Sequence, residues 1–166
     1  MDSGQTSDRL MWMLKISRDM LSTRNTGELL ELITDAFIEA TEAQRGFLML
    51  YDKTSGELQP KLGRTSDGIA IDVAEARVSS VCRKVFESRR SIFATDTGQN
   101  GELANRQSID ELNLKMMVCV PLRSDEQVLG VFYADGPTTL ESVFTISNRR
   151  AVETLAEHAA AAMVNA

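Results

Sequence analysis

Met117-Val118-Cys119-Val120-Pro121-Leu122 and Val128-Leu129-Gly130-Val131-Phe132-Tyr133 flank the polar run Arg123-Ser124-Asp125-Glu126, and these three pieces decide the fold. Each apolar run is too short for a buried helix and rich in valine, so each reads as a strand covered on both faces. The polar run between them closes a hairpin. An antiparallel pair buried on both sides needs a layer above it and another below, which predicts an α+β fold with helices on both faces of the sheet.

Upstream, Phe47-Leu48-Met49-Leu50-Tyr51 is also apolar throughout and reads as a strand, with a turn at Asp52-Lys53-Thr54-Ser55-Gly56. The returning segment alternates Leu58, Pro60 and Leu62 with Glu57, Gln59 and Lys61. That pattern predicts a half-solvated strand, and the proline places it at a sheet edge. Further strands are expected at 69–73 and 91–94. Four stretches carry helical periodicity. Over 8–22 the apolar residues, among them Leu10, Met13, Leu14 and Leu21, spread over an arc of about 200°, twice what one packing surface needs. Asn25 and Glu28 have the spacing of a capping pair that opens a second helix, whose stripe is Leu29, Ile33, Ala36, Phe37 and Ala40. A short helix over 78–88 lines up Val81, Cys82, Val85 and Phe86. The last helix, 144–164, gathers Val152, Leu155, Ala159, Ala160 and Met163 on a half-circle of mostly small side chains. Between the fourth strand and the central hairpin, Asp96-Thr97-Gly98-Gln99-Asn100-Gly101-Glu102 has turn chemistry and reads as a loop or a lid.

The chain has 166 residues, the length of one domain with an extra terminal helix. Its 18 basic and 24 acidic residues give a net charge of −6 with no basic stripe, which argues against nucleic acid as a partner. Cys82, Cys119 and the single His158 are too few for a structural zinc site, so no metal or cofactor is expected. No apolar run approaches the ~20 residues of a membrane span, and no signal peptide opens the chain; the expectation is a cytoplasmic protein with reduced thiols and no membrane partner. His158 has no nucleophile beside it in a pattern that would suggest catalysis, and no phosphate-binding or metalloprotease motif occurs. The residues alone therefore give no enzyme.

Taken together, the two central segments resemble the paired VPL and iGvlyld segments of GAF domains. Arg45-Gly46-Phe47-Leu48, Ser80-Val81, Arg90-Ser91-Ile92-Phe93, Asp96, Ser108-Ile109 and Phe144 extend the resemblance over about residues 20–164. It implies a six-stranded antiparallel sheet with the terminal helices on one face. On the other face it implies a small-molecule pocket roofed by short helices and the 96–113 segment. Residues 1–22 would form a separate dimerisation helix and 23–166 the domain proper. The implied pocket residues are Phe93, Asp96, Thr97, Ser108, Ile109, Met117, Cys119 and Tyr133, with no ligand identified. The terminal helices are expected to build a homodimer through Leu10, Met13, Leu14, Leu21, Leu155, Ala159 and Met163 and to act on an output domain.

The departures narrow the function. Cyclic-nucleotide-binding members carry an Asn-Lys pair where Asp135-Gly136-Pro137 stands here, and a Phe-x-x-x-Asp-Glu run where Phe144 is followed by Asn148-Arg149. Bilin-binding members pair a cysteine with a histidine, and no such dipeptide occurs. Free methionine sulfoxide reductases need a thiol in the loop that here reads Ala104-Asn105-Arg106-Gln107-Ser108. The expectation is a regulatory sensor without enzyme activity; the alternatives are a ligand-free dimerisation and relay module, or a thiol enzyme of the reductase kind.

Overall fold

A computed structural model describes residues 3–73, 80–95, 116–125, 127–136 and 146–165. In chain order these form α1 (Ser3–Ser22), α2 (Thr26–Thr41), β1 (Arg45–Asp52), β2 (Glu57–Thr65), β3 (Ala70–Ile71), α3 (Ser80–Ser88), β4 (Ile92–Thr95), β5 (Met116–Ser124), β6 (Gln127–Gly136) and α4 (Ile146–Asn165). The strands make one six-stranded antiparallel sheet in the order β3-β2-β1-β6-β5-β4. The central hairpin β5–β6 lies in the interior of this order, which is why both of its strands are apolar at successive positions rather than at alternate ones.

Two apolar layers sandwich the sheet. On one face, α1, α2 and α4 pack Met20, Leu29, Ile33, Phe37, Val152 and Leu155 onto Leu48, Val118, Val120 and Phe132. Phe37 stacks on Phe132 with ring centroids 4.5 Å apart. On the other face, α3 lays Val81, Cys82 and Val85 over Phe47, Met49, Met117, Cys119 and Val131. Helix α2 starts as its sequence predicts: the Asn25 side chain accepts the Glu28 backbone N–H at 3.1 Å, filling one of the vacant bonds of the first turn.

Strand β2 departs from simple alternation. Leu48 pairs with Leu62, but Met49 pairs with Pro60, so Lys61 is the extra residue of a bulge. The bulge reverses the side-chain parity. Leu58 therefore joins the α3 layer, whereas Leu62 packs with the terminal helices. Pro60 needs no edge strand in the strict sense, because β3 reaches only Gly63 and Arg64 and leaves Pro60 outside that pairing.

Gly130 marks the tightest approach in the sheet. A Cβ there would lie 2.1 Å from the Met49 carbonyl oxygen and 2.8 Å from Leu50 Cα. The glycine is thus what allows β6 to run against β1 at the Leu50–Gly130 pair.

Candidate functional site

Pairing in the sheet sorts the expected site residues by face. Cys119 stands opposite Tyr133 and Met117 opposite Asp135 on the β5–β6 ladder. Met117, Cys119 and Tyr133 all belong to the layer under α3, as expected. Phe93 does not. It pairs with Val118 and lies in the layer of the terminal helices, where the Arg149 guanidinium sits 5.4 Å from its ring centroid. Strand parity sends Ile92 and Ala94, the neighbours of Phe93, to the α3 face instead. Asp96, Thr97, Ser108 and Ile109 lie outside the described residues, as does Phe144.

The α3 face also holds a polar group that the sequence reading passed over. Asp135 is the next-to-last residue of the apolar strand β6 and Arg45 opens β1, and antiparallel pairing sets the two directly opposite each other. Arg45 Nε donates to Asp135 Oδ1 at 2.7 Å and Nη2 donates to Oδ2 at 3.1 Å, a two-pronged ion pair. The Tyr133 hydroxyl donates to the same Oδ2 at 2.7 Å. The carboxylate is 1% exposed and the arginine side chain 38%. Arg45 also lies over the Phe47 ring, 5.3 Å from its centroid, so its stem and plane are held on two sides. A lone carboxylate closing an otherwise apolar strand was the available signal, since such a charge in a buried strand needs a partner.

Around this ion pair the electrostatics keep Tyr133 and Cys119 in their neutral forms. Burial, and then the negative charge of Asp135 with the bond to it, push the Tyr133 hydroxyl well above the ordinary phenol range. Burial and the hydrogen bond to Cys82 push the Cys119 thiol well above its usual value. Both cysteines are buried, and neither is in a disulfide. A thiol held protonated is a poor nucleophile and behaves as a small apolar side chain. The described His, Cys, Asp and Glu side chains form no group that could hold a metal ion.

The expected dimer residues separate into two sets. Met13, Leu155 and Ala159 are buried inside the chain and present no free surface, and Met163 is half-buried against its core. The small residues of α4 bring it close to the chain's own sheet and to α1. Leu10, Leu14 and Leu21 remain exposed on α1, together with Met11. His158 is exposed on α4, and its Nδ1 lies 2.5 Å from Ser17 Oγ on α1, a polar tie between the two terminal helices. Among the described residues no helix is long and apolar enough to cross a membrane.

Comparison with known proteins agrees with this architecture. No curated protein matches the chain. The GAF domain of a phosphoenolpyruvate-protein phosphotransferase from Acinetobacter superposes with a TM-score of 0.68 at 12% identity, over 99% of this chain and 95% of that one. The corresponding domain from Coxiella burnetii gives 0.68 at 18% identity, over 95% and 93%. The GAF domain of a two-component sensor histidine kinase from Bacillus halodurans gives 0.56 at 18% identity, over 82% and 94%. At these identities the likeness concerns the fold. The family model for the GAF domain, a sensory and regulatory module of signalling proteins, matches residues 23–164. The chain belongs to the GAF domain family.

Proposed function

We propose that this domain binds a small molecule on the α3 face of its sheet and passes the change to its terminal helices, which pair with those of a second copy and act on an output domain. The observation that carries the reading is the Arg45–Asp135–Tyr133 group, set at the end of an apolar bed of Met117, Cys119 and Ala94. Small-molecule sites are mostly apolar with a few placed polar groups, and this face has that composition. A route to the helices exists within one strand. Met117 and Cys119 face α3, while their neighbours Val118 and Val120 pack in the layer that holds Val152 and Leu155 of α4. A ligand that shifts β5 would therefore move contacts on both faces at once.

For the pairing, α1 offers positions 10, 14, 17 and 21, whose 4-3-4 spacing is that of a coiled-coil seam. Three of them are the exposed leucines and the fourth is Ser17. The supporting experiment is a thermal-shift screen of metabolites, with binders mapped by hydrogen exchange. Protection is expected over 116–120, 131–136 and α3. Binders that protect only other segments would overturn the location.

A second reading, a relay that binds nothing, is favoured by the closure of the same face. Met117 is 1% exposed, Cys119 0% and Tyr133 8%. A screen without binders, combined with a dimer in solution, would select it.

A further inference from the structure

We propose that Cys82 and Cys119 form a redox modification site, at which a low-molecular-weight disulfide converts the two thiols into a bond that fastens α3 to the sheet. The proposal stands whether or not a small molecule binds on the same face.

Two elements remote in sequence bring these thiols together. Cys119 is on β5, between Ile92 of β4 and Tyr133 of β6 on the ladders, and its side chain belongs to the α3 layer. Cys82 stands with Val81 and Val85 on the buried face of α3. Both residues are 0% exposed, and the Cys119 thiol is in hydrogen-bond contact with Cys82. A single buried cysteine acts as a small apolar side chain, whereas two in contact across separate elements are also the precursor of a cross-link. A disulfide sets its sulfurs about 2.0 Å apart, so the bond needs the existing contact to tighten.

The closed fold shields both thiols, and α3 is the part that can uncover them. It has nine residues, fewer than the ~12–15 at which a helix in water becomes even marginal by itself. No acidic side chain stands in its first turn and no basic one in its last, so its dipole gains no help from within. It packs chiefly on β5 and β6 through Val81, Cys82 and Val85, while Arg83, Lys84 and Glu87 face water. A segment held by so few side chains opens at lower cost than the sheet beneath it.

The order of events follows from where each thiol sits. When α3 lifts, Cys82 travels with it into water, and Cys119 stays on a strand inside the sheet. Cys82 gives its proton to water and its thiolate attacks one sulfur of oxidised glutathione, breaking that S–S bond and expelling one glutathione thiolate. With α3 still ajar, Cys119 gives its proton to water, attacks the Cys82 sulfur and expels the second glutathione thiolate. The two expelled thiolates take up two protons. The protein is oxidised by two electrons and the glutathione disulfide is reduced by two. The new bond then removes the open state of α3.

The test is incubation of the reduced full chain with excess oxidised glutathione in native buffer, followed by an acid quench and intact mass. The wild type should lose two hydrogens, and a peptide map should join the segments carrying Cys82 and Cys119. Amide hydrogen exchange in α3 should slow at least tenfold, the melting temperature should rise by about 5 °C, and dithiothreitol should reverse both. Cys119→Ala should stop at a glutathione adduct on Cys82, and Cys82→Ala should react at least tenfold more slowly. Pulse alkylation of the native wild type, which needs no variant to fold, should label Cys82 before Cys119. A wild type that keeps both thiols in native buffer and oxidises only in urea overturns the proposal. So do glutathione adducts without the internal bond, an internal bond that leaves α3 exchange unchanged, or labelling of Cys119 first.

Discussion

Replacing Arg45 by methionine separates the charge of the Arg45–Asp135 pair from its packing. Methionine keeps an apolar stem over Phe47 and removes both N–H bonds to Asp135. Asp135 is then left 1% exposed with the Tyr133 hydroxyl as its remaining side-chain donor among the bonds described above. Breaking a fully buried pair by removing one partner costs roughly 3–5 kcal/mol. Arg45 is 38% exposed, so water can reach the vacated side and the Tyr133 bond persists; the expected cost is about 2 kcal/mol. For a chain of this length that is a fall in melting temperature of roughly 4–8 °C. The assay is urea unfolding of wild type, Arg45→Met, Asp135→Asn and the double variant, with equal denaturant slopes as the check on two-state behaviour. In the double variant the buried charge is gone, so it should be more stable than the sum of the single losses allows, by about 1 kcal/mol or more. Arg45→Met within about 0.5 kcal/mol of wild type, or strict additivity of the cycle, would refute the assignment of Asp135 as a buried charge held by Arg45.

Alkaline pH should destabilise the domain. The folded state keeps the Cys119 and Tyr133 protons above the ordinary values of 9.0 and 10.0, so unfolding releases protons there and stability falls as pH rises past about 9. Urea titrations across that range should show the fall, and Tyr133→Phe and Cys119→Ala should each make it shallower. Gly130→Ala drives a Cβ into the Met49 carbonyl, where only backbone could yield, and should cost about 3 kcal/mol by the same unfolding assay. Leu14→Glu lies on a side chain 54% exposed in the single chain, so the fold should stay within about 0.5 kcal/mol of wild type while light scattering reports loss of the proposed dimer.

What the sequence reveals of this fold depends on whether a residue's surroundings are set locally or by pairing across the sheet. The central hairpin was legible because burial on both faces leaves no polar position in a strand, and the start of α2 because Asn25 and Glu28 are three residues apart. Met117 and Cys119 could be assigned to one face from strand parity alone. Phe93 went to the wrong face because β4 is four residues long, and only its pairing with Val118 fixes its parity. Leu62 shows the same limit, since the bulge at Lys61 has no glycine or turn residue to announce it.

Distance along the chain obscured the rest. The Arg45–Asp135 pair spans 90 residues, and although a carboxylate in an apolar strand calls for a partner, nothing near it in the sequence says which cation that is. Only the β1–β6 register brings them together and turns two ordinary strand ends into a buried ion pair. The terminal helices were ambiguous for a different reason. An apolar arc of about 200° on α1 is compatible with two neighbours of any kind. The fold supplies one of them, its own α4 and α2, and Met13 and Met20 of α1 are buried. The leucines left over at 10, 14 and 21 keep the regular spacing of a seam, and that spacing is the physical reason to look for the other neighbour in a second copy of the same helix.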